Sequence, residues 1–241
     1  MIHPQPRRAF LQILTLAAAI AAALPLWAAA KFKPAANSAL IVVDVQNGFV
    51  TGGTLLVAKG QEVVPVINKT AAAFSNSVVT QDRHTAGHAS FASAHAGKKP
   101  FKTTLLACGQ RVLWPVPCMQ GTDAAALHRD LTLPTAQRTI RNGFRKDMDS
   151  GSAFEEADHK SVTGLAGDLK ARGIETVVVG GLATDFCVGW TAMDGRKAGF
   201  EVDGVENASR PIDLNGSLAA AWKQMTAKGA KRIQRADIEL G

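Results

Sequence analysis

Three groups of residues in this sequence have the types and spacing to do chemistry. Cys187 stands in Gly180-Gly181-Leu182-Ala183-Thr184-Asp185-Phe186-Cys187-Val188, where the β-prone run Glu175-Thr176-Val177-Val178-Val179 empties through two glycines into the start of a helical pattern. A thiol at a helix N-terminus has its thiolate favoured by unpaired N–H groups and the helix dipole. Cys187 therefore reads as a nucleophile, against the plainer reading of a buried filler thiol. Asp44 ends the unbroken run Ala39-Leu40-Ile41-Val42-Val43 and falls on the same sheet edge, as proton acceptor for the thiol or as a simple helix cap. A third run, Ser77-Val78-Val79-Thr80-Gln81, delivers Asp82, His84 and, four residues on, His88. Oxygen and nitrogen donors at that spacing suit one divalent metal ion, although loop histidines are commonly only solvated.

Groups on three separate runs converge only if those runs are strands ending on one edge. Further strands are expected at 138–140, 200–202 and 230–233, and helical spacing covers 63–74, 162–172, 185–197 and 218–228. Such alternation predicts an α/β fold, a three-layer α/β/α sandwich around a central, mostly parallel sheet, in which ligands bind at the carboxyl ends of the strands. Between them, residues 86–121 form a long stretch rich in Gly, Ala, Pro and Lys. A loop of that length closes a pocket, makes a contact between copies of the chain or runs over the surface, so a homo-oligomer is left open.

These segments resemble the nicotinamidase/pyrazinamidase branch of the isochorismatase-like cysteine hydrolases. The resemblance runs from about Ser38 to Ile238 and includes Asp44-Val45-Gln46-Asn47, Asp82-Arg83-His84, Ser90-Phe91-Ala92, Leu113-Trp114-Pro115, Cys118-Met119-Gln120-Gly121-Thr122, Asp149-Ser150, Ser152-Ala153-Phe154 and the segment around Cys187. It implies that Cys187 attacks a carboxamide, that Asp44 accepts and returns protons, and that the backbone N–H groups of Ala183 and Cys187 form the oxyanion hole. A cis peptide at Leu182–Ala183, an aromatic slot lined by Phe49 and Trp114, a substrate contact from Gln46, and a small aromatic amide as substrate are also implied. The implied cofactor is a divalent ion, Zn, Fe or Mn, held by Asp82, His84 and His88. Two positions depart from the pattern. Asn142 stands where a lysine ordinarily completes the catalytic group, and Pro117 stands where a metal-binding histidine ordinarily precedes the cysteine. These losses favour an alternative: a degenerate relative that binds an aromatic amide or acid, or hydrolyses another small amide slowly. A vinyl ether hydrolase of the isochorismatase type is a weaker third reading, because those relatives generally lack the cysteine.

At the N-terminus, Arg7-Arg8-Ala9-Phe10-Leu11 precedes an apolar stretch broken by Pro25 and followed by Ala28-Ala29-Ala30. This reads as a twin-arginine signal over 1–30, cleaved before Lys31, which would leave a periplasmic hydrolase domain over 31–241 with no stable membrane anchor. Left uncleaved, the same stretch would anchor the chain to a membrane. The formal net charge of +7 comes from dispersed residues and includes Arg7 and Arg8, so a nucleic-acid partner is not expected. Three cysteines with no C-x-x-C spacing argue against a disulfide framework, and a Cys108–Cys118 pair is the less favoured alternative to free thiols.

Overall fold

The alternation of side chains along the first strand decides the layering of the molecule. In β1 (Ser38–Val43) every residue is buried. Leu40 and Val42 pack into one apolar cluster, and Ala39, Ile41 and Val43 into a second on the opposite face. A strand buried on both sides needs a helical layer on each. The computed structural model describes residues 31–240, and the leader expected over 1–30 lies outside them.

One layer is α1 (Val63–Ala71), which buries Val63, Val64, Ile67 and Ala71. The other holds α2 (Leu165–Ala171), α3 (Gly189–Lys197) and α4 (Ser217–Ala227), contributing Leu165, Leu169, Ala192, Trp222 and Met225. Between the layers lie β1, β2 (Ser77–Asp82), β5 (Ala136–Asn142), β6 (Thr176–Leu182), β7 (Glu201–Arg210) and β8 (Lys231–Ile233). They form a six-stranded sheet in the order β5-β2-β1-β6-β7-β8, and every pairing in it is parallel. The expected three-layer α/β/α architecture is the one observed.

The strand order places the chemistry. From β1 the chain moves outward through β2 to β5, then returns to the other side of β1 at β6 and moves outward again through β7 to β8. The strand order reverses at β1 and β6, and crevices for ligands form at such switch points. Asp44 follows β1, and Cys187 follows β6. Val43 pairs with Gly181 across the two strands, and a Cβ on Gly181 would lie 2.0 Å from the Val43 carbonyl oxygen. Only glycine allows that approach at a φ of 134°.

Several boundaries differ from the sequence expectation. The strand expected at 200–202 continues to Arg210 with a register irregularity between Val179 and Gly181, because the largely polar residues beyond Val202 pair with β6 and β8 rather than reading as an apolar run. α2 begins at Leu165 rather than 162, since Gly164 sits at a φ of 90°. The long stretch over 86–121 contains an antiparallel hairpin, β3 (Thr103–Leu106) with β4 (Gly109–Val112), that no alternation announced. All three cysteines are free. Among the described residues, no helix is long and apolar enough to cross a membrane.

Candidate active site

Asp44 leaves β1 in the left-handed region, at a φ of 49°, and is fully buried. Thr80 on the neighbouring strand holds it at two points. Its Oγ1 accepts the Asp44 backbone N–H at 3.0 Å and donates a short hydrogen bond to Asp44 Oδ1. Oδ2 is buried without an aligned partner, and the Cys187 thiol lies within reach of the carboxylate. Oδ2 is thus the atom free to take the thiol proton. Burial, reinforced by the nearby Asp82 charge, raises the Asp44 carboxyl to about 7, despite the opposing effects of Thr80, Cys187 and His84. Burial and the surrounding carboxylates of Asp44, Asp82 and Asp149 likewise push the Cys187 thiol well above its usual range. A high thiol and a raised carboxyl side by side hold their shared proton on sulfur until attack begins.

Cys187 sits in a wide turn over Thr184–Val188 that runs into α3. The Val188 N–H reaches the Ala183 carbonyl at 3.1 Å, five residues back. Asp185 anchors this turn by accepting from the backbone N–H groups of Ile212 and Asp213 at 3.0 and 2.8 Å and from the Ser217 hydroxyl. The Leu182–Ala183 peptide is cis, as the resemblance implies, and Ala183 and Cys187 both line the pocket. Phe49 and Trp114 line it too. Two further aromatic walls were not anticipated. Phe186 meets Trp114 edge to face at 4.8 Å, and Trp190 meets Phe186 in the same way at 5.7 Å. Their signal was present as aromatics flanking Cys187, but the direction of their rings follows from the wide turn. Asp149 also lines the pocket. Burial raises its carboxyl to about 6 against the Ser150 N–H, His84 and Arg111.

Gln46 does something other than touch substrate. It is fully buried, donates Nε2 to the Asp82 and Ala125 carbonyls at 2.8 and 2.9 Å, and accepts the Asp82 N–H on Oε1 at 2.8 Å. With its amide spent on the backbone, Gln46 is a clamp that fixes the end of β2, and the expected substrate contact is corrected accordingly. Asn142 is buried beside Asp82 in register, its Oδ1 without a partner. Arg141 and Lys146 are exposed, so neither supplies the absent lysine's charge.

The metal expectation meets mixed geometry. Asp82 Oδ1 and His84 Nδ1 approach to 3.0 Å without hydrogen-bond alignment, and neither His84 ring nitrogen has a partner. A Cβ on Gly143 would fall 2.7 Å from Asp82 Oδ1 and 3.2 Å from His84 Nε2, so the glycine keeps a cradle open there. An orphaned buried imidazole beside a carboxylate and a cleared space suits an ion. Burial alone would lower the His84 pKa, but Asp82, Asp149 and Asp44 together raise it. His88 departs from the expected set. Its Nδ1 bonds Ser90 Oγ at 2.7 Å and its Nε2 the Met148 carbonyl at 3.0 Å, while burial and His84 lower it to about 4. Nε2 donates its N–H to the carbonyl and Nδ1 accepts from Ser90, so both ring nitrogens are engaged and His88 supports His84 through an edge contact, with ring centroids 4.3 Å apart, rather than presenting a third ligand atom. Pro117 lines the pocket with no ligand atom. A different group, Glu155, His159 and Asp194, has ligand-type atoms within 4.8 Å of one another.

A buried carboxylate and a thiol on adjacent parallel strands, beside an aromatic slot, define a cysteine hydrolase of the α/β/α type. Residues 38–237 match the isochorismatase domain, and the chain belongs to that family. It is 53% identical over 208 residues to the nicotinamidase of Acinetobacter baylyi, covering 86% of this chain and 97% of that one. The solved structure of an Acinetobacter baumanii nicotinamidase and pyrazinamidase superposes with a TM-score of 0.83 at 55% identity, covering 84% of this chain and 98% of that one. The Pyrococcus horikoshii pyrazinamidase in complex with zinc gives a TM-score of 0.66 at 30% identity, covering 82% and 99%.

The double grip of Thr80 on Asp44 carries a prediction. Thr80→Val removes a hydrogen bond that holds the carboxyl down, so the acid limb of kcat/KM against pH should move above pH 7. Thr80→Ser keeps the hydroxyl and should restore the limb. An unshifted profile in the valine variant would mean that Thr80 serves only the fold.

Proposed function

We propose that the protein opens a carboxamide through a thioester on Cys187, with nicotinamide as substrate and pyrazinamide as a second. It is an amide hydrolase that converts nicotinamide to nicotinate and ammonia. The observation that carries this reading is the Asp44–Cys187 pair at the base of the aromatic slot, in a chain so similar to known nicotinamidases.

The ring lies between Phe49, Trp114 and Trp190, which exclude water from the amide. As Sγ attacks the carbonyl carbon, the thiol proton passes to Asp44 Oδ2. The developing oxyanion faces the N–H groups of Ala183 and Cys187. Asp44 then returns the proton to the leaving nitrogen, and ammonia departs. Water attacks the thioester, gives a proton to Asp44, and the thiol is restored as nicotinate leaves. Asp82 and His84 are the residues that would hold a divalent ion, as the zinc complex of the Pyrococcus relative supports. Such an ion would supply a Lewis-acid site that orients the ring.

Cys187→Ala should abolish ammonia release from nicotinamide, a loss of several orders of magnitude, with the far-ultraviolet circular dichroism unchanged. Turnover retained by that variant would end the thioester scheme.

Asn142 tests the alternative of a slow or redirected relative. Asp44 must be ionised to accept the thiol proton, so with its pKa near 7 activity falls as pH drops through neutrality. A cation at position 142 would lower that pKa, and each unit gives about tenfold at pH values below the limb. Asn142→Lys should therefore raise kcat/KM on nicotinamide most at low pH, with the two profiles converging above neutrality. A flat or lower profile at every pH would identify Asn142 as part of a pocket shaped for another amide.

Periplasmic residence belongs to this proposal and rests on the twin-arginine pattern of the leader. A fusion of 1–31 to a reporter active only after folded export should be exported, and Arg7→Lys with Arg8→Lys should stop it. Export that persists in the double variant would exclude this route.

A further inference from the structure

The indole of Trp190 stands between two cavities. The front slot, with about 40 Å³ open to the centre of a water molecule, holds Cys187, and a larger space of about 110 Å³ lies on the other side of the ring. Ser150 and Trp190 line both. The Ser150 side chain bonds Glu156, which leaves the indole as the bulk of the wall.

Position 151 explains how so large a ring comes to stand beside the nucleophile. A Cβ built on Gly151 would lie 2.4 Å from both Cε3 and Cζ3 of Trp190 but 3.6 Å from Cys187 Sγ. The first distance is a collision and the second an ordinary contact. Gly151 lies outside the left-handed region, so its backbone does not demand glycine; the indole does. The segments carrying the two residues are pinned together just beyond this contact, where the Ala153 N–H donates to Thr191 Oγ1 at 3.0 Å and a Cβ on Gly195 would stand 3.3 Å from the Phe154 ring. Phe186 meets the indole edge to face at 5.7 Å from the slot side. A ring seated on bare backbone and flanked by Phe186 has little room to turn aside. Its edge and the sulfur lie on either side of one point, so the substrate atoms it restricts are those next to the carboxamide, which must reach Sγ.

We propose that Trp190, seated on Gly151, is the specificity-determining residue that limits this site to single-ring amides, and that the cavity behind it is a second-ring subsite which removal of the indole opens. This rests on the amide-hydrolase reading above. With the indole in place, a group on the ring carbons beside the carboxamide meets a wall. Without it, the slot and the back cavity are continuous, and a fused second ring has a place to lie.

Two isomeric bicyclic amides separate this role from a general loosening of the site. Isoquinoline-4-carboxamide is nicotinamide with a second ring fused beside the carboxamide, and quinoline-3-carboxamide carries that ring on the far side. The full chain is assayed for kcat/KM on both and on nicotinamide. The wild type should favour nicotinamide over isoquinoline-4-carboxamide by about a hundredfold, within the discrimination a closed pocket achieves. Trp190→Ala should narrow that ratio at least about tenfold, mainly through a lower KM for the bicyclic amide, and leave the ratio for quinoline-3-carboxamide where it was. Gly151→Ala should lower kcat/KM on nicotinamide about tenfold, because the new methyl drives the indole from its seat, and should cost little once Trp190 is alanine. A ratio unmoved in Trp190→Ala, equal gains on both bicyclic amides, or a Gly151→Ala loss of the same size in both backgrounds overturns the proposal. Trp190→Leu, apolar but without a ring, gives the same readings if the alanine variant does not fold. No turnover of any amide would fail the amide-hydrolase reading instead, and the same ratios taken from calorimetric dissociation constants would then decide the role of Trp190.

Discussion

The close approach of β1 and β6 at Val43 and Gly181 is the constraint on which the site depends. Two parallel strands must run side by side to their carboxyl ends for a carboxylate leaving one to meet a thiol leaving the other. Gly181 permits it because any side chain there would strike the Val43 carbonyl. Beyond that contact the chain diverges into two irregular exits, the left-handed Asp44 and the wide turn of Cys187. Each exit is then tied down from outside, Asp44 by Thr80 and the turn by Asp185. Strands supply the coarse placement, and side chains from other elements supply the last ångström.

What was legible in the sequence follows from where the information lay. The apolar runs ending in Asp44, Asp82 and the Gly180–Gly181 pair reveal the central strands, because a strand buried on both faces must be apolar throughout. Most of β7, Asp203 to Arg210, lies in a less central strand where polar residues are tolerated, and no period marks it. The substrate contact at Gln46 is implied by the family resemblance alone. Its two-sided bonding to Asp82 depends on the neighbouring strand and the 3-10 turn at Asp123–Ala125, both distant in sequence. For His88 residue type and spacing are visible, while the Met148 carbonyl, which engages one of its nitrogens, becomes a neighbour only on folding.

The holding groups are neutral. Thr80, Gln46 and Asn142 surround a site that already contains Asp44, Asp82 and Asp149. Neutral donors orient buried carboxylates, but they compensate charge far less than a cation does. His84 opposes the effect of the carboxylates on Asp44, and Asp82, Asp149 and Asp44 in turn raise its own pKa.

That balance bears on how the thiol attacks. A lysine between base and nucleophile favours a thiolate formed before substrate arrives. Here burial and three acids keep the proton on sulfur, and Asp44, raised to about 7, is basic enough at neutral pH to take it during attack. Proton transfer and carbon–sulfur bond formation are then coupled in one step, with catalysis resting on the alignment of Oδ2 rather than on a standing thiolate population. A thiolate of high pKa is also the stronger nucleophile once formed, since nucleophilicity rises with basicity. With neutral Asn142 where the resemblance implies a lysine, the burden shifts from charge to geometry, and the Thr80 grip on Asp44 is more consequential than in a site with a cation at its centre.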